Sequence, residues 1–272
     1  SVRVVDHLQC DLTILSGKLG VRFQNEFIGR PDAVIPRIGS SVTSYGAAVV
    51  RQFEMMGVFT VVTTEALLRS RDKRTALQYL AANHLPVPDS VFTAMPDNVD
   101  SSLRILGEEY PIVIKMLNST QGQGVILGES HSASLSVAEA FIRLKEEILL
   151  QRFIGESKGK DVRVFIVGGQ VVAAMERSAQ NGEFRSNLHR GASSHKIRIT
   201  SEEEEIALRA AQLMGLEVAG VDILRSNTGP LILEVNASPG LEGIEGTTGV
   251  DIASQIIRFV ETNAKPVPVK VV

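Results

Sequence analysis

Two apolar runs, residues 218–226 and 229–238, flank Asn227-Thr228-Gly229. Alternating apolar stretches around such a turn read as an antiparallel hairpin. The second run ends in "LEVNASPG" (233–240), an apolar strand that passes straight into Glu234, Asn236 and a Pro239-Gly240 break. Positions two apart on a strand share a face, so Glu234 and Asn236 project together. With the turn centred near residue 228, Asp222 lies across from about residue 234. Directly opposed side chains sit about 5 Å apart. Two carboxylates and an amide oxygen, with no His or Cys, form a hard-oxygen cluster. That donor set suits Mg²⁺, which takes one or two carboxylates together with substrate phosphates. The alternative is a solvated cross-strand polar patch.

The rest of the chain begins as alternating strands and helices and then changes pattern. Residues 2–6 and 32–39 read as strands, 45–57 as a helix ending at Gly57, and 58–62 as a strand. This is an α/β unit. Residues 71–84 read as a helix stopped by "LPVP". Residues 110–117 and 124–130 read as strands, 134–147 as a helix, and 148–154 as a strand-like run. Residues 161–177 form a second hairpin about Gly168-Gly169. Residues 201–215 read as a helix with an acidic start suited to its N-terminus, and 251–264 as a closing helix. The boundaries expected from this are 1–68, 69–155 and 156–272.

Composition excludes several classes. The chain has 272 residues and a net charge of −3, which gives no field favouring nucleic acid or anionic membrane. No apolar run approaches the roughly 20 residues of a membrane span. The lone Cys10 excludes an internal disulfide framework, fits a reducing, cytoplasmic setting, and reads as a small apolar filler. The chain opens with Ser1 on an apparent strand, from which an upstream start is expected.

Phosphate chemistry has candidate residues. "NSTQGQGV" (118–125) carries Gly122 and Gly124 after a strand holding Lys115. Glycines let backbone N–H groups cradle an anion. The loop lacks the Gly-Lys-Ser/Thr of a P-loop and leads into a strand, so an ordinary hairpin loop is the other reading. Lys115 ends an apolar run, and a buried Lys needs an anionic partner. Lys73 opens a helix; on its own it reads as a solvated lysine or a second phosphate ligand. In "FRSNLHRGAS" (184–193), Arg185, Asn187 and Arg190 are anion-binding candidates or an exposed basic loop. His189 has no nucleophile nearby to activate.

Lys73, Lys115, "STQGQGV", "QRFI", "KDVRVFIVGG", "FRSNLHRG", "GVDIL" and "LEVNASPGLEGIE", in that order, resemble the ATP-grasp superfamily. More narrowly, they resemble the RimK-type ribosomal protein modification family. The resemblance runs over essentially the whole chain. It implies an α/β (α+β) ATP-grasp fold: a pre-ATP-grasp α/β domain, a central lid and a C-terminal metal-binding sheet. It implies that Lys73 and Lys115, with Gly122 and Gly124, bind the phosphates of ATP. Gln151, Arg152, Phe153 and Ile154 would form the adenine hinge, Asp161 would contact the ribose, and Arg185, Ser186 and Asn187 would flank the nucleotide. Asp222, Glu234 and Asn236 would hold two Mg²⁺ or Mn²⁺. Arg190 would act near an acyl phosphate, and Ser238 and Gly240 would shape the acceptor site. The implied reaction joins L-glutamate to the C-terminal tail of a small-subunit ribosomal protein, turning ATP to ADP and phosphate, in a homo-oligomer that binds neither membrane nor nucleic acid.

The resemblance leaves other outcomes open: poly-α-glutamate synthesis, another acceptor such as an amino-group carrier protein or a cofactor, or a nucleotide-binding module without catalysis. Two departures stand out. Arg152 occupies a hinge position where the family has Glu. The family's first domain also begins with a strand and helix that this sequence lacks, which would leave an exposed sheet edge near Val2–Val5.

Overall fold

The computed structural model describes residues 1–107, 109–117, 124–180, 183–186 and 191–265. It has mixed α/β architecture, as the sequence predicts, in three sheet-centred parts.

The first part opens with an antiparallel meander: β1 (Cys10–Leu15), β2 (Lys18–Phe23) and β3 (Glu26–Ile28). Both of its turns have two residues with positive φ, Ser16-Gly17 (49° and 76°) and Gln24-Asn25 (51° and 69°). Such turns match the twist of the strands that they join. Residues 2–6 are not a strand. Val2 and Val4 are 86% and 91% exposed, because β1 begins only at Cys10 and pairs forward with β2. The strand expected over 32–39 shrinks to β4 (Ala33–Val34), since Pro36 offers no N–H to a ladder. β4 lies parallel to β5 (Phe59–Thr60). Between them α1 (Thr43–Met55) packs Val49 and Phe53 against Cys10, Val21 and Phe23. Cys10 is the apolar filler that its context predicts.

The helix expected over 71–84 spans Lys73–Ala82, and a shorter helix that was not anticipated precedes it. α2 (Thr64–Arg71) ends and α3 (Lys73–Ala82) begins at Asp72, whose extended backbone breaks the helix. The Asp72 carboxylate caps α3 by accepting from the N–H groups of Arg74 and Thr75. The boundary expected at 68/69 falls inside α2.

The central sheet contains β6 (Ser90–Thr93), β7 (Ile112–Met116), β8 (Val125–Gly128) and β9 (Ile148–Arg152), in the order β6-β9-β7-β8. Helices α4 (Val99–Ile105) and α5 (His131–Arg143) cover one face over a core of Ile112, Ile114, Ile148 and Leu150. The alternate residues, Val113, Lys115, Leu149 and Gln151, face a cleft. β6 and α4 were not anticipated from sequence.

The third part is the five-stranded sheet β12-β11-β10-β13-β14. Its strands are β10 (Lys160–Val167), β11 (Gln170–Ser178), β12 (Ser193–Lys196), β13 (Val218–Ser226) and β14 (Gly229–Asn236). Helix α6 (Ser201–Met214) backs it, fixed at its start by a Thr200–Glu203 capping box and at its end by Gly215 at φ 72°. The largest core lies here and includes Phe165, Met175, Met214, Ile232 and Val235. Helices α7 (Glu242–Thr248) and α8 (Ile252–Asn263) close the chain. Among the described residues no helix is long and apolar enough to cross a membrane.

Candidate active site

The central and C-terminal sheets face each other across a cleft of about 1340 Å³. The floor on the C-terminal side is the β13–β14 hairpin. Asp222 pairs with Glu234 and Gly220 with Asn236, the register expected from the turn. A bulge between Asp222 and Ile223 makes this work. Ile232 and Val235 both lie in the core although they are three residues apart. A regular strand would put them on opposite faces; the extra residue lets both point inward and turns Glu234 toward the cleft. Beyond Asn236 the chain packs hard against β13. A Cβ on Gly220 would sit 2.7 Å from the Pro239 ring, so only glycine lets the Asn-Ala-Ser-Pro turn fold back there.

The three oxygen donors differ in their surroundings. Glu234 is exposed to the cleft, and no described residue bonds to its carboxylate. The Asn236 amide makes only a long contact, 3.5 Å, through its nitrogen to the Gly220 carbonyl, which leaves its oxygen open. Asp222 is buried and held from two sides. Arg163 donates to both of its oxygens at 2.7 and 2.6 Å, and Arg177 lies 3.0 Å away. Arg177 in turn grips both oxygens of Asp161 at 2.6 Å, and Ser186 donates to Asp161 at 2.5 Å. Burial alone would raise the Asp222 carboxyl, but Arg163 and Arg177 outweigh it and hold the group below the usual carboxylate range. Among the described residues no three His, Cys, Asp or Glu side chains gather as a metal site. The cluster is two carboxylates plus an amide, a set that suits a hard cation sharing its coordination with phosphate.

Opposite stands Lys115 on β7. Its ammonium donates to the Gln151 side chain at 2.7 Å, and Gln151 donates to Ser90 at 2.9 Å. Burial pushes Lys115 down to about 8, Glu234 opposes that, and Lys73 adds to it. Lys73, the first residue of α3, donates to the Leu117 carbonyl at 3.3 Å. Gln151 is thus turned to Lys115 rather than outward. Arg152 turns to Asp89 (3.5 Å) and Glu109 (3.7 Å). Phe153 and Ile154 line the cleft, and Phe153 meets Phe184 edge-on at 6.1 Å. Arg185 is clamped by Glu183 at 2.8 and 2.7 Å and reaches the Val125 carbonyl of β8 at 3.2 Å. Its guanidinium drives the Glu183 carboxyl down to about 2. Gly124 has φ 62° and accepts from the Met116 N–H at 2.9 Å. Ser238 and Gly240 also line the cleft. Gly122, Asn187, His189 and Arg190 lie outside the described residues.

Arg37, Arg71, Arg163, Arg177 and Phe184 also line the cleft and were not anticipated. Two of them are set by register: Asp161 stands opposite Arg177, and Arg163 opposite Asp222. A regular pairing carried outward from Gly168-Gly169 puts Asp161 opposite Glu176, and only the bulge between Phe165 and Ile166 moves it to Arg177.

A cleft clamped between two antiparallel sheets, with lysines on one and oxygen donors on the other, is the ATP-grasp arrangement. The ATP-grasp ligase PsnB, solved with a minimal precursor, Mg and ADP, superposes with a TM-score of 0.71. It is 22% identical over 94% of this chain and 85% of its own. Residues 70–260 match the RimK-like ATP-grasp domain and residues 1–67 the RimK PreATP-grasp domain, and the chain belongs to the RimK-like ATP-grasp family. It is similar to a probable alpha-L-glutamate ligase of Nitrosococcus oceani, 54% identical over 97% of this chain and 87% of that one. A second relative with the same description, from Hydrogenovibrio crunogenus, is 53% identical over 97% of this chain and 88% of its own. The protein is an ATP-dependent ligase of this family.

Proposed function

We propose that this chain joins L-glutamate through its amino group to a carboxylate at a peptide C-terminus, with ATP cleaved to ADP and phosphate. The observation that carries this reading is the pairing of unpartnered oxygen donors, Glu234 and Asn236, with cations on the opposite wall. The curated relatives described as probable alpha-L-glutamate ligases support the choice of amino acid.

ATP lies with its base against Phe153, Ile154 and Phe184 and its phosphates between the sheets. Asp222, Glu234 and Asn236 would hold two Mg²⁺ or Mn²⁺, which supply charge neutralisation as a phosphoryl group moves. Lys115 and Lys73 bind the phosphates, and Gln151 aims Lys115. Anionic phosphate favours the charged form of Lys115, so its depressed proton affinity in the free protein rises again on binding. Gly122 and Gly124 would bind the phosphates, while Arg185, Ser186 and Asn187 would flank the nucleotide. Asp161 shares its oxygens between Arg177 and a ribose hydroxyl. The acceptor carboxylate attacks the γ-phosphate and becomes an acyl phosphate. The glutamate amine adds to it, Arg190 stabilises the oxyanion, and phosphate leaves as the amide forms. Ser238 and Gly240 shape the acceptor end. Closure of the cleft excludes water that would hydrolyse the acyl phosphate. The tail of a small-subunit ribosomal protein is the proposed acceptor.

Intact-mass spectrometry with ATP, Mg²⁺, glutamate and that ribosomal protein tests the reading. A ladder of glutamyl increments is expected, absent with Glu234→Ala. Release of ADP with glutamate alone and no ladder replaces it by free poly-α-glutamate synthesis. Neither signal from the wild type overturns the ligase reading for this acceptor.

A further inference from the structure

Among the described residues, every arginine along the cleft except two has a carboxylate partner. Arg74 pairs with Glu147, Arg152 with Asp89, Arg163 and Arg177 with Asp222, and Arg185 with Glu183. Arg37 and Arg71 have none among the described residues. Each is tied by a single backbone carbonyl: Arg37 donates to Pro239 at 2.6 Å, and Arg71 donates to Ile38. Both come from the N-terminal side of the molecule, Arg37 from the loop after β4 and Arg71 from the end of α2. They meet where that side touches the Asn-Ala-Ser-Pro turn. Burial lowers the proton affinity of Arg37, and the nearby charge of Arg71 lowers it further. Arg71 feels the same burial, partly offset by Glu234.

Two polar atoms at this junction are buried without a partner: Arg71 Nε and Ser238 Oγ. Bringing two guanidiniums and a hydroxyl together with nothing to receive their hydrogens is costly unless an anion completes the set. A planar, bidentate carboxylate matches guanidinium geometry. The location narrows its source. Ser238 and Pro239 follow the oxygen donors of β14 along the chain, Arg37 reaches the Pro239 carbonyl and Arg71 feels the Glu234 charge, so the pair stands beside the donor end of the cleft, where the carboxylate and amine react. A carboxylate that must attack phosphorus is blunted by such a clamp, so the clamped one is a spectator.

We propose that Arg37 and Arg71, with the Ser238 hydroxyl, form the subsite for the side-chain carboxylate of the incoming glutamate and select an acidic amino acid over a neutral one. This rests on the ligase reading above. Arg37→Gln and Arg71→Gln are expected to raise the KM for glutamate on the order of 10- to 100-fold, the scale of a charge-assisted hydrogen bond. The KM values for ATP and for the peptide acceptor stay within about 2-fold, and the preference for glutamate over glutamine falls by the same factor as glutamate use. Unchanged glutamate KM overturns the proposal. So does an equal loss of glutamate and glutamine, or a rise in acceptor KM instead.

A binding measurement separates this from the ligase reading. Saturation-transfer NMR with glutarate on the wild-type chain is expected to show transfer that Arg37→Gln abolishes and Arg37→Lys partly restores. No transfer to the wild type overturns the subsite even if ligation is seen. Transfer lost in the variant, from a wild type that does not ligate glutamate, keeps the subsite and discards the ligase reading. Should Arg71→Gln fail to fold, the two Arg37 variants carry the test.

Discussion

The two walls of the cleft handle charge in opposite ways. On the C-terminal sheet the charges neutralise one another in place: Arg163 with Asp222, and Arg177 with both Asp222 and Asp161. On the central sheet Lys115 has an amide oxygen as its hydrogen-bond partner and is pushed down to about 8. Around Asp222 one wall is neutralised before any ligand arrives, with Glu234 left open to a cation, and the other wall is left in need of an anion. A site so divided has a floor whose geometry is set in advance and a facing wall whose charge state answers to the nucleotide.

The largest expected effect comes from breaking the neutralised wall. Asp222→Asn removes the carboxylate that two buried guanidiniums share. Loss of one member of a buried ion pair typically costs about 3 to 5 kcal/mol. For a chain of this size that lowers the melting temperature by roughly 10 °C. Calorimetry checks this; a melt equal to wild type would show that the arginines do not depend on Asp222.

The second prediction sharpens the contrast through pH. Lys115 has a lower proton affinity folded than unfolded, so between pH 8 and 10.5 the unfolded chain binds the extra proton. Below pH 8 the penalty for burying the cation is fully present, and it is relieved as pH rises through that window. Lys115→Met is therefore expected to raise thermal stability at pH 7 by a few degrees while nucleotide binding is lost. In the wild type, nucleotide binding takes up about half a proton at pH 8 and close to one at pH 9. Titration calorimetry in buffers of different ionisation enthalpy reads this directly, and zero uptake would place both walls in the same class.

The smallest effect belongs to the aromatic contact. Phe184→Ala removes an edge-on partner of Phe153 and is expected to raise the KM for ATP several-fold, on the scale of about 1 kcal/mol. The KM for glutamate stays unchanged.

The parts legible in the sequence were those set by local register. The β13–β14 hairpin, the Asp222–Glu234 opposition, the strand placing Lys115 and the capped helix α6 all follow from runs within a few tens of residues. The N-terminal meander was missed for a different reason. "CDLTILSGKLGVRF" alternates acceptably, but residues 2–6 alternate too, and a strand exists only where a partner accepts its hydrogen bonds. The arginines around Asp222 were missed because register was not carried from one hairpin to the next. Arg37 meets Pro239 across 202 positions of sequence, a separation at which no local pattern operates. Arg190, Asn187 and Gly122 remain expectations from resemblance.

The bulge in the β13–β14 hairpin makes chain length, rather than side-chain chemistry, the vulnerable property of this floor. Substituting Leu233 changes a wall contact. Deleting it removes the extra residue and leaves Ile232, Glu234 and Val235 in ordinary alternation on their present faces, whereas inserting one residue beside it adds a position that the bulge does not absorb and drives Glu234 into the core while Val235 surfaces. Drift in the sequence of β14 is therefore buffered, but the gain of a single codon there inverts inside and outside for the whole end of the strand, including the turn that reaches Arg37.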